Sequence, residues 1–383
     1  MKKRSAILLA LCSFFLLSFS AFAVDAPTVY GLVKKEMKYI KQDSEANART
    51  MFGPKDVDGY ETRFGIKGAV PTGEAKAGYV VEAGFNSVLE NSATERIRIR
   101  LAYLNWGSEA YGTMTAGQSY LPGMVRNIFF DPLVGTAVEL LGLDWAPLVG
   151  SFGGTGGGAT QLHPYLPRAP WSDMLGYESP SFYGFKVALA YDKNQQEYYQ
   201  KNSLAGASNG QYWMTYALYF DKAVNSDVKL QGTAVYSNQY IEGVIKEDMD
   251  SYWNFSGKVF VSKFSLGAGY YLYEVDRNVK NYTWLITGSF DILPELTWAA
   301  TYMKDRLSEH NTAIAINGTQ GYQSQIATGL IYKINPYVNT HFVAGFYNRD
   351  WNGGLSPAGT FEKSTGKNST NATQIALGMT VNF

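Results

Sequence analysis

The chain has 383 residues, with 33 Lys+Arg against 33 Asp+Glu, three His, one Cys, 39 Gly and 28 Tyr. The balanced charge offers no basic field for nucleic acid, a single cysteine allows no internal disulfide, and three scattered histidines show no metal-ligand spacing. Aromatic residues at 15% beside so much glycine suit strands with one wet and one greasy face better than a helical enzyme.

Residues 1–23 read as a secretory signal peptide. Lys2, Lys3 and Arg4 give a positive start, Ser5 to Ser20 is mostly apolar, and Ala21-Phe22-Ala23 ends it with small residues at both key positions. The run is short for a membrane-anchor helix. Cys12 lies inside it, preceded by Leu11 rather than the small residue a lipoprotein signal requires. Removal leaves 383 − 23 = 360 residues, and 33 − 3 = 30 Lys+Arg against 33 Asp+Glu, a charge of −3. Past the signal no run of about 18 apolar residues occurs, so no transmembrane helix is predicted.

The remainder alternates with a period of two. Segments are predicted at 29–40, 60–70, 76–89, 95–107, 110–119, 173–180, 181–192, 211–221, 226–239, 250–261, 263–274, 281–291, 294–305, 322–333, 337–350 and 372–383. In the first, Lys34, Glu36 and Lys38 share a face, but Lys35 falls among Val33, Met37 and Tyr39. A snorkelling side chain, a bulge and a subunit contact would each accommodate it. In ERIRIRLAYL (95–104), Ile97, Ile99, Leu101 and Tyr103 take one face and Arg96, Arg98 and Arg100 the other. On a helix these arginines would break any apolar stripe; on a strand they line up. VKLQGTAVY (228–236), ELTWAATYM (295–303) and VNTHFVAGF (338–346) alternate likewise. The chain ends TQIALGMTVNF, with Ile375, Leu377, Met379, Val381 and Phe383 on one side.

Connections alternate too. Short ones carry turn residues, as in Pro71-Thr72-Gly73, Asn225-Ser226-Asp227 and Asn335-Pro336. Long ones are predicted at 41–59, 120–172, 193–210, 304–321 and 351–371. Lipid cannot satisfy free backbone groups, so only helices or closed barrels span a membrane. Short turns at one end and long loops at the other predict an all-β, transmembrane antiparallel barrel of about 16 strands over residues 24–383. A soluble β-sandwich is the competing reading, but 360 residues is long for one such domain.

The motifs ETRFGIKG (61–68), IRLAYLNWGSEAYGTMTAGQSYLPG (99–123), GYESPSFYGFKVALAY (176–191) and the terminal VNF resemble the general porins of Gram-negative outer membranes. The resemblance implies a homotrimer of sixteen-stranded barrels in the outer membrane, passing small hydrophilic solutes and ions by passive diffusion, with no cofactor and no enzymatic activity. It implies that Phe383 is a signal read by the barrel-assembly machinery. It implies that the third loop, 120–172, folds into the lumen and constricts the pore, its carboxylates facing an arginine ladder. By motif the ladder falls on Arg63 and Arg100, with Arg98 and Arg168 as further candidates. A charge facing mid-bilayer costs ~2–4 kcal/mol, so these arginines are expected to face the lumen.

Here the sequence departs from the family. The usual Pro-Glu-Phe-Gly-Gly-type tip is absent, and residues 124–158 are unusually apolar, with Asp131, Glu139 and Asp144 their only carboxylates. Pro132 to Leu143 suits a short helix with Leu133, Val134, Val138, Leu140 and Leu141 as an apolar patch. GGTGGG at 153–158 is no phosphate loop, since no Gly-Lys-Ser/Thr follows. The loop could pack on the barrel wall, project toward another subunit or protein, or form a greasy lining. Three readings of function stay open: a diffusion porin, a structural barrel plugged by its third loop, and a solute-specific channel. Clustered arginines with few carboxylates favour anions.

Overall fold

A computed structural model describes residues 26–44, 49–55, 62–85, 97–123, 125–126, 130–134, 136, 171–192, 211–241, 251–275, 279–308, 320–352 and 367–383. The strands are β1 (Thr28–Ser44), β2 (Arg49–Lys55), β3 (Arg63–Thr72), β4 (Ala75–Phe85), β5 (Ile97–Ser108), β6 (Gly112–Tyr120), β7 (Trp171–Glu178), β8 (Phe185–Asp192) and β9 (Gln211–Ala223). They continue as β10 (Val228–Ile241), β11 (Ser251–Val261), β12 (Phe264–Val275), β13 (Val279–Leu293), β14 (Leu296–Ser308), β15 (Gln320–Asn335), β16 (Val338–Asn352) and β17 (Lys367–Asn382). Every neighbouring pair is antiparallel, and β17 pairs back onto β1 from Leu32↔Asn382 to Ser44↔Thr370. The sheet is a closed barrel. Strand β1 takes β3 along its first residues and β2 along its last, so these two short strands share one stave. The barrel therefore has 17 − 1 = 16 staves.

The outer face carries the greasy half of each alternation. Val187, Leu218, Ile286, Ile326 and Leu377 are all exposed there. Aromatic rings flank this aliphatic belt at both ends: Phe185–Phe220 and Phe264–Phe290 near the short turns, Tyr191–Tyr212–Tyr240 and Tyr270–Trp284 near the long connections. Such rings sit at membrane–water interfaces.

Closure is completed by the last residue. Gly31 N donates to Phe383 O at 2.9 Å, and Phe383 N returns a bond to Gly31 O at 3.1 Å. The Phe383 ring lies where a Cβ on residue 31 would stand, so glycine is required there. The ring itself is 57% exposed on the outer face.

Two sequence-based expectations need correction. Residues 41–59 are not one long loop, because β1 runs to Ser44 and β2 fills Arg49–Lys55. Above the lipid belt both faces are wet, so a real strand there shows no hydrophobic contrast. The faces of β5 also change midway. Register passes from Glu82↔Leu101 to Ala83↔Ile99, leaving Arg100 as an extra residue. This bulge turns Leu101, only 6% exposed, inward beside Arg100, while Ile99 below it and Leu104 beyond it face out at 46% and 65%. The strands β5 and β6 part at Ala102↔Gln118, where the Gln118 amide donates to the Ile99 and Arg100 carbonyls at 2.9 Å each. The register of β1 with β17 is continuous through Lys35, so no bulge interrupts that pairing, and the Thr62 hydroxyl hydrogen-bonds the Lys34 backbone on the other side. Lys35 itself lies on the outer face, between Val33 and Met37 and opposite Met379.

Candidate functional site: the channel wall and the segment that crosses it

The inner face of the first staves carries a charged cluster that register assembles from four strands. Arg63 stands at the start of β3, Glu82 on β4, Arg100 at the β5 bulge and Tyr120 at the end of β6. Arg63 Nε lies 3.5 Å from Glu82 Oε2. Arg100 Nε lies 3.0 Å from Glu82 Oε1, an ion pair with poor hydrogen-bond angles, and Arg100 Nη2 donates to Tyr120 Oη at 3.1 Å. The Tyr30 hydroxyl, from β1, neighbours the same carboxylate. Glu82 and Arg100 are almost fully buried, whereas the Arg63 side chain keeps 27% of its surface open. One carboxylate thus holds two guanidinium groups, leaving an excess of 2 − 1 = 1 positive charge in this cluster.

A second cluster sits on the same wall across the closure seam. Lys38 Nζ is 3.5 Å from Glu36 Oε2, and the other Glu36 oxygen meets His341 Nε2. Lys34, Glu36 and Lys38 share the inner face of β1, as the alternation predicts, and all three are buried.

Opposite, described residues between 121 and 136 make contact with the far wall. Gly123 N donates to Tyr219 Oη at 2.7 Å, and the Arg126 guanidinium lies 4.5 Å from the Tyr219 ring centre. Phe130 approaches Gly267 and accepts a bond from Lys258 Nζ at 3.4 Å through its carbonyl. Leu121 and Phe130 join a buried cluster with Trp213, Val235, Tyr252, Tyr271 and Leu285. Leu133 joins another with Ala299, Ala327, Val343 and Ala376, on β14 to β17.

The candidate residues of the sequence fall as follows. Arg63 and Arg100 meet, through Glu82. Asp131 is buried and turns its carboxylate onto its own segment, accepting from Leu133 N at 2.8 Å, with Lys258 of β11 as its charged neighbour. Arg98 lies on β5 at Gly84, but its side chain is outside the described residues, as are Arg168, Glu139, Asp144 and the predicted signal peptide. Glu82, Tyr30, Tyr120 and the Glu36–His341 pair were not singled out by sequence. Only register brings them together. Among the described residues no group of three His, Cys, Asp or Glu side chains is arranged to hold a metal.

Comparison with known proteins agrees with this architecture. The family model described as Gram-negative porin matches residues 6–352. No curated protein matches the chain by sequence. Among solved structures, the anion-selective porin from Comamonas acidovorans superposes with a TM-score of 0.62 at 15% identity, over 94% of this chain and 99% of that one. The outer membrane channel DcaP of Acinetobacter baumannii gives 0.60 at 14% identity, over 95% and 98%. Salmonella typhi OmpF, in complex with daunomycin, gives 0.56 at 16%, over 93% and 97%. With its closed 16-stave barrel, lipid-suited outer face and charged inner wall, the chain belongs to the family of Gram-negative porins, channels of the outer membrane for passive diffusion of solutes.

Proposed function

We propose that the diffusion path narrows between the Arg63–Glu82–Arg100 wall and residues 121–136, and that the whole of 120–172 folds into the lumen. The single observation that carries this is the contact of Leu133 with the β14–β17 wall and of Phe130 with β12, across the barrel from Arg100. These contacts favour the wall-packed arrangement of the loop over an outward or greasy-lining one. The wall cluster holds a net positive charge and Asp131 is offset by Lys258, so the channel prefers anions. In this reading solutes and ions are small and hydrophilic, no cofactor is used and no reaction is catalysed. The signal peptide 1–23 directs export, and Phe383 is the element read by the barrel-assembly machinery. The assembly is a homotrimer. A solved structure 15% identical to this chain, OmpT of Vibrio cholerae, is described in a trimer form, and Lys35 on the outer face, costly in lipid, suits a contact between copies.

The test is single-channel conductance of the folded mature chain in a planar bilayer under a salt gradient. Steady openings in groups of three with an anion-favouring reversal potential are expected. A cation-favouring potential overturns the selectivity, single steps overturn the trimer, and a folded barrel that never opens overturns the open path in favour of a plugged barrel.

A further inference from the structure

Strand β3 presents two cations to the lumen with an aromatic ring between them. Arg63, Gly65 and Lys67 share its inner face, while Phe64 and Ile66 face out. Register places Tyr30 of β1 opposite Gly65, with Leu32 opposite Arg63 and Thr28 opposite Lys67. Glu82 of β4 is the partner of Gly65 on its other side. The Tyr30 ring therefore crosses β3 at Gly65 on its way to Glu82. A Cβ at residue 65 would stand 2.5 Å from Tyr30 Cζ and 2.7 Å from Tyr30 Oη, so a glycine is what lets the ring lie against the strand. One face of the half-buried ring rests on backbone, and the other is turned to the path.

The two cations are not equivalent. Arg63 shares Glu82 with Arg100. Lys67 is exposed, and among the described residues no carboxylate pairs with it. Its Nζ lies 5.3 Å from the Tyr30 ring centre instead. An inorganic anion finds only charge here. An aromatic carboxylate finds charge and a ring face together. Offset-stacked rings sit roughly 4.5–7 Å centre to centre, and Lys67 Nζ stands within that span of the Tyr30 centre. A carboxylate carried on a stacked ring thus falls beside the ammonium.

We propose that Tyr30 and Lys67 form a subsite for small aromatic carboxylates, which the channel holds in preference to aliphatic acids of the same charge and size. The proposal rests on the open, anion-preferring path set out above. The solute ring stacks on Tyr30. Its carboxylate pairs with Lys67, whose flexible stem moves off the tyrosine to make that ion pair. Arg63, on the far side of the ring, draws the anion in but stays engaged with Glu82.

The test uses single channels of the folded mature chain in potassium chloride at neutral pH, with benzoate or cyclohexanecarboxylate added. The concentration that halves the chloride current is read for each acid, and the ratio of the two is taken within each channel. In the wild type benzoate is expected to block at about fivefold lower concentration than the aliphatic acid. Tyr30→Leu should bring that ratio close to one. Tyr30→Phe, which keeps the ring and loses the hydroxyl beside Glu82, should preserve it. Lys67→Gln should weaken block by both acids and leave benzoate the stronger. Equal block by the two acids in the wild type overturns the proposal, as does an unchanged ratio in Tyr30→Leu. Loss of the ratio in Tyr30→Phe also overturns it, by tracing the effect to Glu82 rather than to the ring. A cation-favouring reversal potential in chloride alone overturns the selectivity reading and this proposal with it. That failure is seen before either acid is added, so it is distinct from equal block in an anion-favouring channel.

Discussion

Glu36 Oε1 and His341 Nε2 lie 2.5 Å apart although their strands, β1 and β16, are not paired with each other in the sheet. Strand β17 runs between them, and its Gly378 is the register partner of both. The side chains meet above that glycine, where an added Cβ would stand 2.6 Å from Glu36 Cγ. The pair thus ties the first, last and penultimate strands together across the closure seam. Removing one member of a buried pair typically costs 3–5 kcal/mol; Lys38 remains beside Glu36, so His341→Ala should destabilise the barrel by about 2–3 kcal/mol. Gly378→Val should do at least as much, by driving the partners apart. Urea unfolding followed by heat-modifiable mobility measures both. An unchanged midpoint in His341→Ala would mean that Lys38 alone satisfies Glu36.

Selectivity follows from the shared carboxylate. With Glu82→Gln, Arg63 and Arg100 lose their common counter-charge, and the anion-to-cation permeability ratio should rise, on the order of a few-fold. Arg63→Ala, on the open side of the cluster, should move it in the opposite direction. Reversal potentials under a salt gradient read both shifts. Movement of the two variants in the same direction would show that the cluster does not set the field in the path.

The fold was legible wherever the outer face meets lipid, because only there does hydrophobicity alternate with contrast. Ile375, Leu377, Met379 and Val381 were readable for that reason, and all four face out. Lys41 to Ser44 were not, since Lys-Gln-Asp-Ser offers no apolar residue to alternate with the polar ones. The inward turn of Leu101 was hidden because a bulge adds one residue without leaving a mark in local composition. Arg63 and Arg100 could be named from motif and face, but Glu82 could not. It joins them only through registers between β3, β4 and β5, and His341 joins Glu36 across 305 residues of chain. Pairwise register is a long-range property, and a single sequence encodes it without displaying it.

Closure at the carboxyl terminus predicts a compensating pair. Gly31→Val places a branched side chain where the Phe383 ring lies and should cost about 1–3 kcal/mol through overpacking. Phe383→Ala removes the ring and leaves the two backbone bonds to Gly31 in place. If the clash is the whole cost, G31V/F383A should be more stable than the sum of the single changes implies. Folded yield into lipid vesicles, measured for all four chains, gives the cycle. Strict additivity would place the cost of Gly31→Val in the backbone instead.

Leu133 separates the loop from the barrel as a stability question. It is fully buried against Ala299, Ala327, Val343 and Ala376, so truncating it to alanine removes contacts worth about 2–5 kcal/mol in a core. The barrel ladders do not depend on those contacts, because β14 to β17 pair with one another through their backbones. The loss should therefore appear as local release of residues 130–136, not as global unfolding. Leu133→Ala should leave the urea midpoint of the barrel nearly unchanged while raising open-channel current noise and the rate of proteolytic cleavage within 121–170. A lowered midpoint with quiet openings would instead mean that Leu133 supports the wall itself, and that other contacts, among them those of Gly123, Arg126 and Phe130, hold the segment in place.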